Sequence, residues 1–157
     1  MAAYVAVVGS GDPATPHAEV AERVGGALAG RGAVVVTGGL GGVMEAASRG
    51  AREAGGTTVG ILPGSDRAAA NPYVDVAVPT GLGEARNALV VRAADALIAV
   101  GGTWGTLSEI ALAMRAGKRV VGLRSWNVRN PEVPEEGVLP ATGPLEAVDL
   151  ALEGLRG

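Results

Sequence analysis

One glycine-rich segment, residues 101–109, carries residue types that suit the binding of a phosphorylated ligand. Its sequence is Gly-Gly-Thr-Trp-Gly-Thr-Leu-Ser-Glu. The glycines let a ligand approach the backbone, Thr106 offers a hydroxyl and an amide to a phosphate, and Glu109 adds a carboxylate. Thr106 and Glu109 also have the spacing of a capping box, which would only stabilise a helix start. A cap does not require the glycines, so the segment favours ligand contact. The residues assigned to that contact are Gly101, Gly102, Thr103, Gly105 and Thr106.

A second glycine cluster follows the apolar residues 33–37. It consists of Gly38, Gly39, Gly41 and Gly42, and a helical pattern begins at residue 43. Backbone amides at a helix start favour an anion, because the helix dipole is positive there. Alternatively, the glycines only permit a tight turn with positive φ. Four glycines in five positions exceed what a turn requires, so we assign all four to ligand binding.

The first glycine segment, residues 9–14, is less specific. It matches the dinucleotide fingerprint G-x-G-x-x-A, but no Asp or Glu lies between Arg31 and Met44 to hold a ribose. Lys118 has no P-loop frame around it. The sequence therefore disfavours a classical NAD site and excludes a P-loop, and Ser10 is expected only to border the ligand.

Strand-like and helix-like segments alternate along the chain and would position these loops. Apolar runs predict strands at residues 4–8, 33–37, 57–62, 74–78, 96–100 and 119–123. Helical spacing and caps predict helices at residues 16–30, 43–54, 84–94, 106–116 and about 145–155, after a proline-rich connection at 131–144. This alternation predicts an α/β protein with a doubly wound, Rossmann-like parallel sheet and helices on both faces. Ligands of such sheets bind at the carboxyl ends of the strands, where the glycine loops lie.

Composition limits the possible functions. A length of 157 residues with 48% hydrophobic and 18% charged residues fits one nucleotide-binding domain over residues 1–157. The absence of cysteine and the single histidine, His17, exclude thiol catalysis and argue against a metal site. A net charge of −3 predicts no nucleic-acid partner, and the N-terminal residues predict neither a signal peptide nor a membrane anchor. We therefore expect a cytoplasmic protein.

Residues 101–109 resemble the P-G-G-x-G-T-x-x-E motif of the Lonely guy phosphoribohydrolases, once named lysine decarboxylases. They are also similar to the G-G-G-x-G-T-x-x-E motif of two related groups, the molybdenum cofactor carrier proteins and the small proteins related to DNA-processing A. Arg86 lies nine residues before Asp95, as in the E-R-K…S-D-A-F-I stretch of the hydrolases, and residues 38–47 resemble their other glycine loop. The resemblance covers residues 4–123 and points most closely to the small carrier-like branch.

The resemblance implies a function and assigns roles to residues. The hydrolases split a nucleoside 5′-monophosphate into a free base and ribose 5-phosphate. By this resemblance Arg86 and Glu109 would be the catalytic pair, and Gly102, Gly105 and Thr106 would hold the phosphate. A carboxylate beside the ribose can stabilise the positive charge that develops as an N-glycosidic bond breaks. Because the relatives are dimers, a homodimer or larger homo-oligomer is implied as well.

Two positions depart from the hydrolase motif, namely Gly101 for its proline and Thr103 for the glycine at its third position. The first change brings the sequence closer to the carrier proteins, and threonine would be costly if residue 103 needed positive φ. Two interpretations stay open: a hydrolase that requires no cofactor, and a non-catalytic carrier or sensor of a bound nucleotide or molybdenum cofactor. In either, Asn87 could bind a ribose hydroxyl, and Trp104 could stack on a base or pterin, seal a subunit contact or simply pack.

Overall fold

The strands form one parallel sheet. The structure is a computed structural model that describes residues 1–155. Within that range there are seven strands, which are Tyr4–Gly9 (β1), Val34–Thr37 (β2), Thr58–Leu62 (β3), Val76–Pro79 (β4), Ala96–Val100 (β5), Arg119–Leu123 (β6) and Leu139–Ala141 (β7). Their order across the sheet is β4-β3-β2-β1-β5-β6-β7, and every neighbouring pair is parallel. The predicted parallel sheet is confirmed.

Helices cover both faces of this sheet, as predicted. They are Ala18–Gly30 (α1), Val43–Glu53 (α2), Arg86–Ala93 (α3), Trp104–Arg115 (α4) and Pro144–Leu152 (α5), with single 3-10 turns at Arg67–Ala69 and Gly83–Ala85. Val5 and Val7 face a core built with α1, α2 and α5, whereas Ala6 and Val8 face a core built with α3 and α4. Successive β1 side chains thus point to opposite, fully buried faces, which explains the continuous apolar run. In the described part of the chain, no helix is long and apolar enough to cross a membrane.

The strand order changes direction at the carboxyl end of β1, the position that we call the crevice. The chain leaves β1 towards β2 on one side and later returns to β5 on the other, so the connections diverge at this point. Gly9, at the end of β1, pairs in register with Val100, at the end of β5. The loops that follow β1, β2 and β5 therefore meet at one edge, where doubly wound sheets bind ligands.

Several elements differ from the sequence prediction: β4 and α3 begin two residues later, at Val76 and Arg86, and α5 ends at Leu152. The connection at 131–144 contains the unpredicted edge strand β7, where Pro140 is tolerated because an edge strand need not donate on its free side. Helix α1 begins at Ala18, after His17, and not at Pro16. Helix α4 begins at Trp104, two residues before the predicted start, because the Leu107 amide already donates a helical hydrogen bond to the Thr103 carbonyl.

Candidate functional site

Arg86 occupies the crevice between the β2 loop and helix α3. It is the first residue of α3 and is 9% exposed. Its Nη1 donates to the Asn87 side-chain oxygen, and its Nη2 lies 3.4 Å from the Gly38 carbonyl oxygen at the end of β2. The third donor, Nε, is buried and has no hydrogen-bond partner among the described residues. Arg86 therefore has unused donor capacity inside the protein, which a bound oxyanion would satisfy.

Glu109 is as buried as Arg86 and lies within its electrostatic reach, but the two form no ion pair within 4.0 Å among the described residues. It is on the inner face of α4, it is 9% exposed, and it accepts no hydrogen bond from the described residues. Burial raises the pKa of its carboxyl from 4.5 to about 7, and the positive charge of Arg86 partly opposes this rise. Burial also lowers the pKa of Arg86, which Glu109 opposes. Glu109 thus exchanges its proton near neutrality, as general acids and bases do.

The absence of a side chain at Gly38 leaves room for the guanidinium of Arg86. A Cβ atom on Gly38 would lie 2.7 Å from both the Nη2 atom of Arg86 and the Sδ atom of Met44. Both contacts are to the ends of flexible side chains, and the φ angle of Gly38 is not positive. The glycine is therefore needed for the position of the guanidinium more than for the backbone turn.

Replacing Gly38 with alanine is expected to displace Arg86 while the fold is kept. Anion binding should weaken by about tenfold, which is the order expected when one charge-assisted hydrogen bond is misplaced. The pKa of Glu109 should rise further, because Arg86 would then favour its carboxylate less. Calorimetric titration with inorganic phosphate and a carboxyl NMR titration check the two effects. Gly64→Ala is the matched control, because a Cβ there meets nothing within 4 Å; equal phosphate affinities of the two variants would refute the role of Gly38.

The loop after β5 presents backbone amides at the start of α4. Thr103 precedes the helix, and its own amide donates to the Thr106 hydroxyl at 3.2 Å. The capping pair is therefore Thr103 and Thr106, and the spacing of Thr106 and Glu109 does not form a cap. The Thr106 amide donates to the Thr103 side chain, whereas the amides of Trp104 and Gly105 come before the first helical hydrogen bond and have no helical acceptor. The Thr106 side chain is buried beneath this turn and its hydroxyl accepts from the Thr103 amide, so its contact with a phosphate stays a prediction.

The two departures from the hydrolase motif are explained by backbone conformation. Gly101 has φ +61°, which proline cannot adopt because its ring fixes φ near −65°. Thr103 has φ −110° and ψ −176°, an extended conformation in which a β-branched side chain is unstrained. The cost considered for threonine at this position does not arise. Gly102 has φ +157°, whereas a Cβ on Gly105 would meet only the Thr103 hydroxyl oxygen, at 3.7 Å.

The first two glycine loops pack against each other. The Val43 amide donates to the Ser10 carbonyl at 2.9 Å. Gly42 has φ +63°, and a Cβ there would lie 2.2 Å from that same carbonyl oxygen. Gly39 has φ +78°, and a Cβ atom there would clash with the Leu62 side chain. The turn alternative therefore explains Gly39 and Gly42 without a ligand. Ser10 borders the crevice, and Gly41 is half-buried beside it.

Three residues at this edge were not assigned to the site from sequence. The His17 ring packs over Gly101, where a Cβ would lie 2.3 Å from the Cδ2 atom of His17. The Nδ1 atom of His17 is buried without a partner in the described structure. Trp126 lies after β6 and donates from Nε1 to the Thr103 carbonyl at 3.1 Å. Met44 lies against Gly38. No local pattern marks these residues, because the chain brings them together only through the sheet.

A small cleft opens beside the β5 loop. It has a volume of about 170 Å³ and is lined by Gly101, Gly102, Arg124, Ser125 and Trp126. Arg124 has φ +54°, and no other non-glycine residue in the described chain has positive φ. Drug-sized ligands fill pockets of about 300–1,000 Å³. The cleft can therefore hold one group of a ligand whose remainder extends along the crevice.

Two solved structures are similar to the whole chain. The molybdenum cofactor binding protein of the phototrophic bacterium Rippkaea orientalis is 36% identical, with a TM-score of 0.89 over 99% of this chain and 98% of that chain. The molybdenum cofactor carrier protein of Chlamydomonas reinhardtii is 33% identical, with a TM-score of 0.84 over 100% of both chains. An uncharacterized protein of Archaeoglobus fulgidus is 42% identical over 148 residues, which are 94% of this chain and 93% of that protein.

A further similarity corrects the predicted exclusion of nucleic acid. DNA processing protein A of Helicobacter pylori, whose structure describes a single-stranded DNA binding mode, has a TM-score of 0.69 over 96% of this chain and 80% of its own. At 20% identity this likeness shows the fold alone. The exclusion based on a net charge of −3 is nevertheless wrong, because net charge averages over a surface and a fold of this kind serves a DNA-binding protein.

The family assignment rests on the sequence of nearly the whole chain. The family model described as the SLOG cluster4 family matches residues 2–147. That range spans β1 to β7 and includes the three glycine loops, Arg86 and Glu109. The expected relationship to the carrier proteins is confirmed by the same structures, whereas the likeness to DNA processing protein A is one of fold. The chain belongs to the SLOG cluster4 family.

Proposed function

We propose that the chain binds the molybdenum cofactor, a phosphorylated pterin that carries molybdenum, and holds it without cleaving it. The observation that carries this proposal is the full-length similarity to two molybdenum cofactor proteins at 36% and 33% identity. The cofactor is then cargo, and the protein supplies a binding surface. This is the carrier alternative of the sequence analysis, and the comparisons favour it over hydrolysis.

The chemistry of the crevice supports an anionic cargo. The buried Nε of Arg86 has no partner in the described structure, and the first amides of α4 have no helical acceptor. A phosphate oxygen can accept from both kinds of donor. Glu109 is partly protonated near neutrality, because the pKa of its carboxyl is about 7. A protonated carboxyl beside the site removes the repulsion that a carboxylate would exert on a phosphate.

Analysis of the purified protein tests this proposal. Protein produced in a host that makes the molybdenum cofactor is expected to carry molybdenum and an oxidisable pterin in equal amounts. Elemental mass spectrometry and fluorescence chromatography measure the two components. Arg86→Ala should carry much less of both, whereas Arg92→Ala, on the exposed end of the same helix, should carry as much as the wild type. Molybdenum without pterin, or neither component in the wild type, would refute the cargo.

A second candidate is hydrolysis of nucleoside 5′-monophosphates. The specific observation in its favour is a buried carboxyl, Glu109, whose pKa is about 7 and which lies within electrostatic reach of Arg86. A group of this kind can take a proton from the attacking water, while Arg86 binds the phosphate or stabilises the leaving base. Water would add to the ribose carbon as the bond to the base breaks, so the products would be the base and ribose 5-phosphate.

An assay of base release separates the two candidates. The wild type is incubated with a panel of nucleoside monophosphates, and Glu109→Gln and Arg86→Ala are the paired variants. The carrier proposal predicts no base release by any of the three proteins. Release by the wild type that disappears in both variants would replace the carrier with the hydrolase.

A further inference from the structure

The two tryptophans of the chain form a contact pair at the edge of the crevice. The sequence contains two tryptophans, Trp104 and Trp126. Trp104 is the first residue of α4, and Trp126 follows β6. Their ring centroids are 5.2 Å apart, and their planes are inclined by 34°. Helix packing does not require this arrangement, since the Trp104 side chain points away from both cores and is 77% exposed.

Trp126 is fixed, whereas Trp104 presents a free ring face. The Nε1–H group of Trp126 donates to the Thr103 carbonyl at 3.1 Å. Its indole lies directly on the glycine loop, because a Cβ on Gly102 would fall 2.8 Å from Nε1. Trp104 is tethered by its backbone and by contact with Trp126. Trp126 therefore packs against the glycine loop, and Trp104 projects from it with one ring face exposed. Exposed aromatic surface of this kind is typical of a binding surface.

Charge next to the pair indicates what it binds. Arg124 lies on the same cleft as Trp126 and is exposed. It makes no ion pair or side-chain hydrogen bond among residues 1–155. Arg124 directly follows β6 and has φ +54°, a backbone conformation that a non-glycine residue adopts only at a cost in free energy. An apolar partner surface would leave this cation unpaired, whereas an anionic, planar ligand would engage both the indoles and the guanidinium.

We propose that Trp104 and Trp126 form an aromatic platform that stacks on the fused-ring nitrogen heterocycle of a phosphorylated ligand, with Arg124 at its edge. This proposal rests on the proposed function, which places the phosphate of the ligand at the start of α4 and at Arg86. Trp104 and Gly105, whose amides have no helical acceptor, are consecutive residues, so the platform and these donors lie on the same turn. A pterin and a purine share the required chemistry, and the experiment distinguishes them.

The test uses the full-length protein, unphosphorylated neopterin, adenosine monophosphate and inorganic phosphate as separate probes. Tryptophan fluorescence reports directly on the platform, because the chain has no tryptophan outside it. Neopterin is expected to quench the wild type. Trp104→Ala should bind neopterin about tenfold more weakly, in line with the loss of one stacking contact, while Trp104→Phe should stay close to the wild type. Phosphate affinity, measured by calorimetry, should be the same in all three proteins.

Each other outcome has a defined meaning. Equal neopterin affinity of the wild type and Trp104→Ala would overturn the platform and leave the cargo proposal standing. Binding of adenosine monophosphate that depends on Trp104, without neopterin binding, would support the platform and overturn the molybdenum cofactor as cargo. Quenching by neither heterocycle would overturn the platform. A change in oligomeric state in Trp104→Ala, seen by analytical ultracentrifugation with heterocycle affinity unchanged, would assign the indole to a subunit contact and overturn it too.

Discussion

Replacing Glu109 with glutamine is expected to stabilise the protein by about 3 kcal/mol at about pH 8 and to change little below about pH 4.5. The physical reason is the burial of the carboxyl, which raises its pKa from 4.5 to about 7. Ionising this group in the folded protein is unfavourable, whereas ionising it in the unfolded chain is not. Glutamine is neutral at every pH, so the variant has no free-energy cost from a buried carboxylate.

The sign of the effect follows from the raised pKa. Below the unfolded value of 4.5 the carboxyl is protonated in both states, and it costs nothing. Between 4.5 and about 7 the unfolded chain loses the proton first, so wild-type stability falls as pH rises through this window. Thermal unfolding should show Glu109→Gln melting about 5–10 °C higher than the wild type at about pH 8. Glu135→Gln, at an exposed position, is the control. If Glu109→Gln differed from the wild type in melting temperature by the same amount at about pH 8 and below about pH 4.5, the prediction would be wrong.

Replacing Arg86 with alanine is expected to weaken binding of a phosphorylated ligand by about 10–100-fold. Arg86 has one buried donor without a partner and a second in a long contact of 3.4 Å with Gly38. Both donors become available to an oxyanion placed in the crevice. Arg86→Lys should recover only part of the affinity, because an ammonium group cannot form the paired hydrogen bonds of a guanidinium. Calorimetric titration with inorganic phosphate and with a phosphorylated pterin measures these losses.

The matched control for Arg86 is Arg92→Ala. Arg92 is on the same helix and carries the same charge, but it is exposed near the carboxyl end of α3. Its removal makes the net charge of the protein more negative by the same amount without changing the crevice. If Arg92→Ala and Arg86→Ala lost the same affinity, binding would depend on overall charge, and the assignment of Arg86 would be wrong. Thermal unfolding of both variants verifies that the fold is intact.

The two charged residues of the crevice affect each other. Arg86 holds the pKa of Glu109 below the value that burial alone would give. An anion bound to Arg86 offsets that positive charge and so favours the protonated form of Glu109. Ligand binding should therefore be accompanied by proton uptake near neutrality, since binding and protonation are linked.

Local sequence patterns predicted most of the elements, and the exceptions have physical causes. The buried runs of β1 and β5 and the glycines that end them needed no tertiary information, because both faces of these strands are covered. The start of α4 was predicted wrongly because two residue pairs have the spacing of a capping box. Thr103 lies three residues before Thr106, and Thr106 lies three residues before Glu109. Backbone geometry chose the first pair. Strand β7 was missed because three residues with a proline carry no alternating pattern.

The sequence by itself determined the order of strands and helices, the doubly wound sheet and the edge at which the glycine loops meet. These properties follow from side-chain periodicity and backbone sterics, which act over a few residues. Only the tertiary structure decided that Arg86 reaches Gly38, 48 positions earlier, and that Trp126 closes on Thr103, 23 positions earlier. It also decided that Glu109 is buried enough to titrate near neutrality. Burial and charge proximity depend on which distant segments pack together, and no local pattern encodes that.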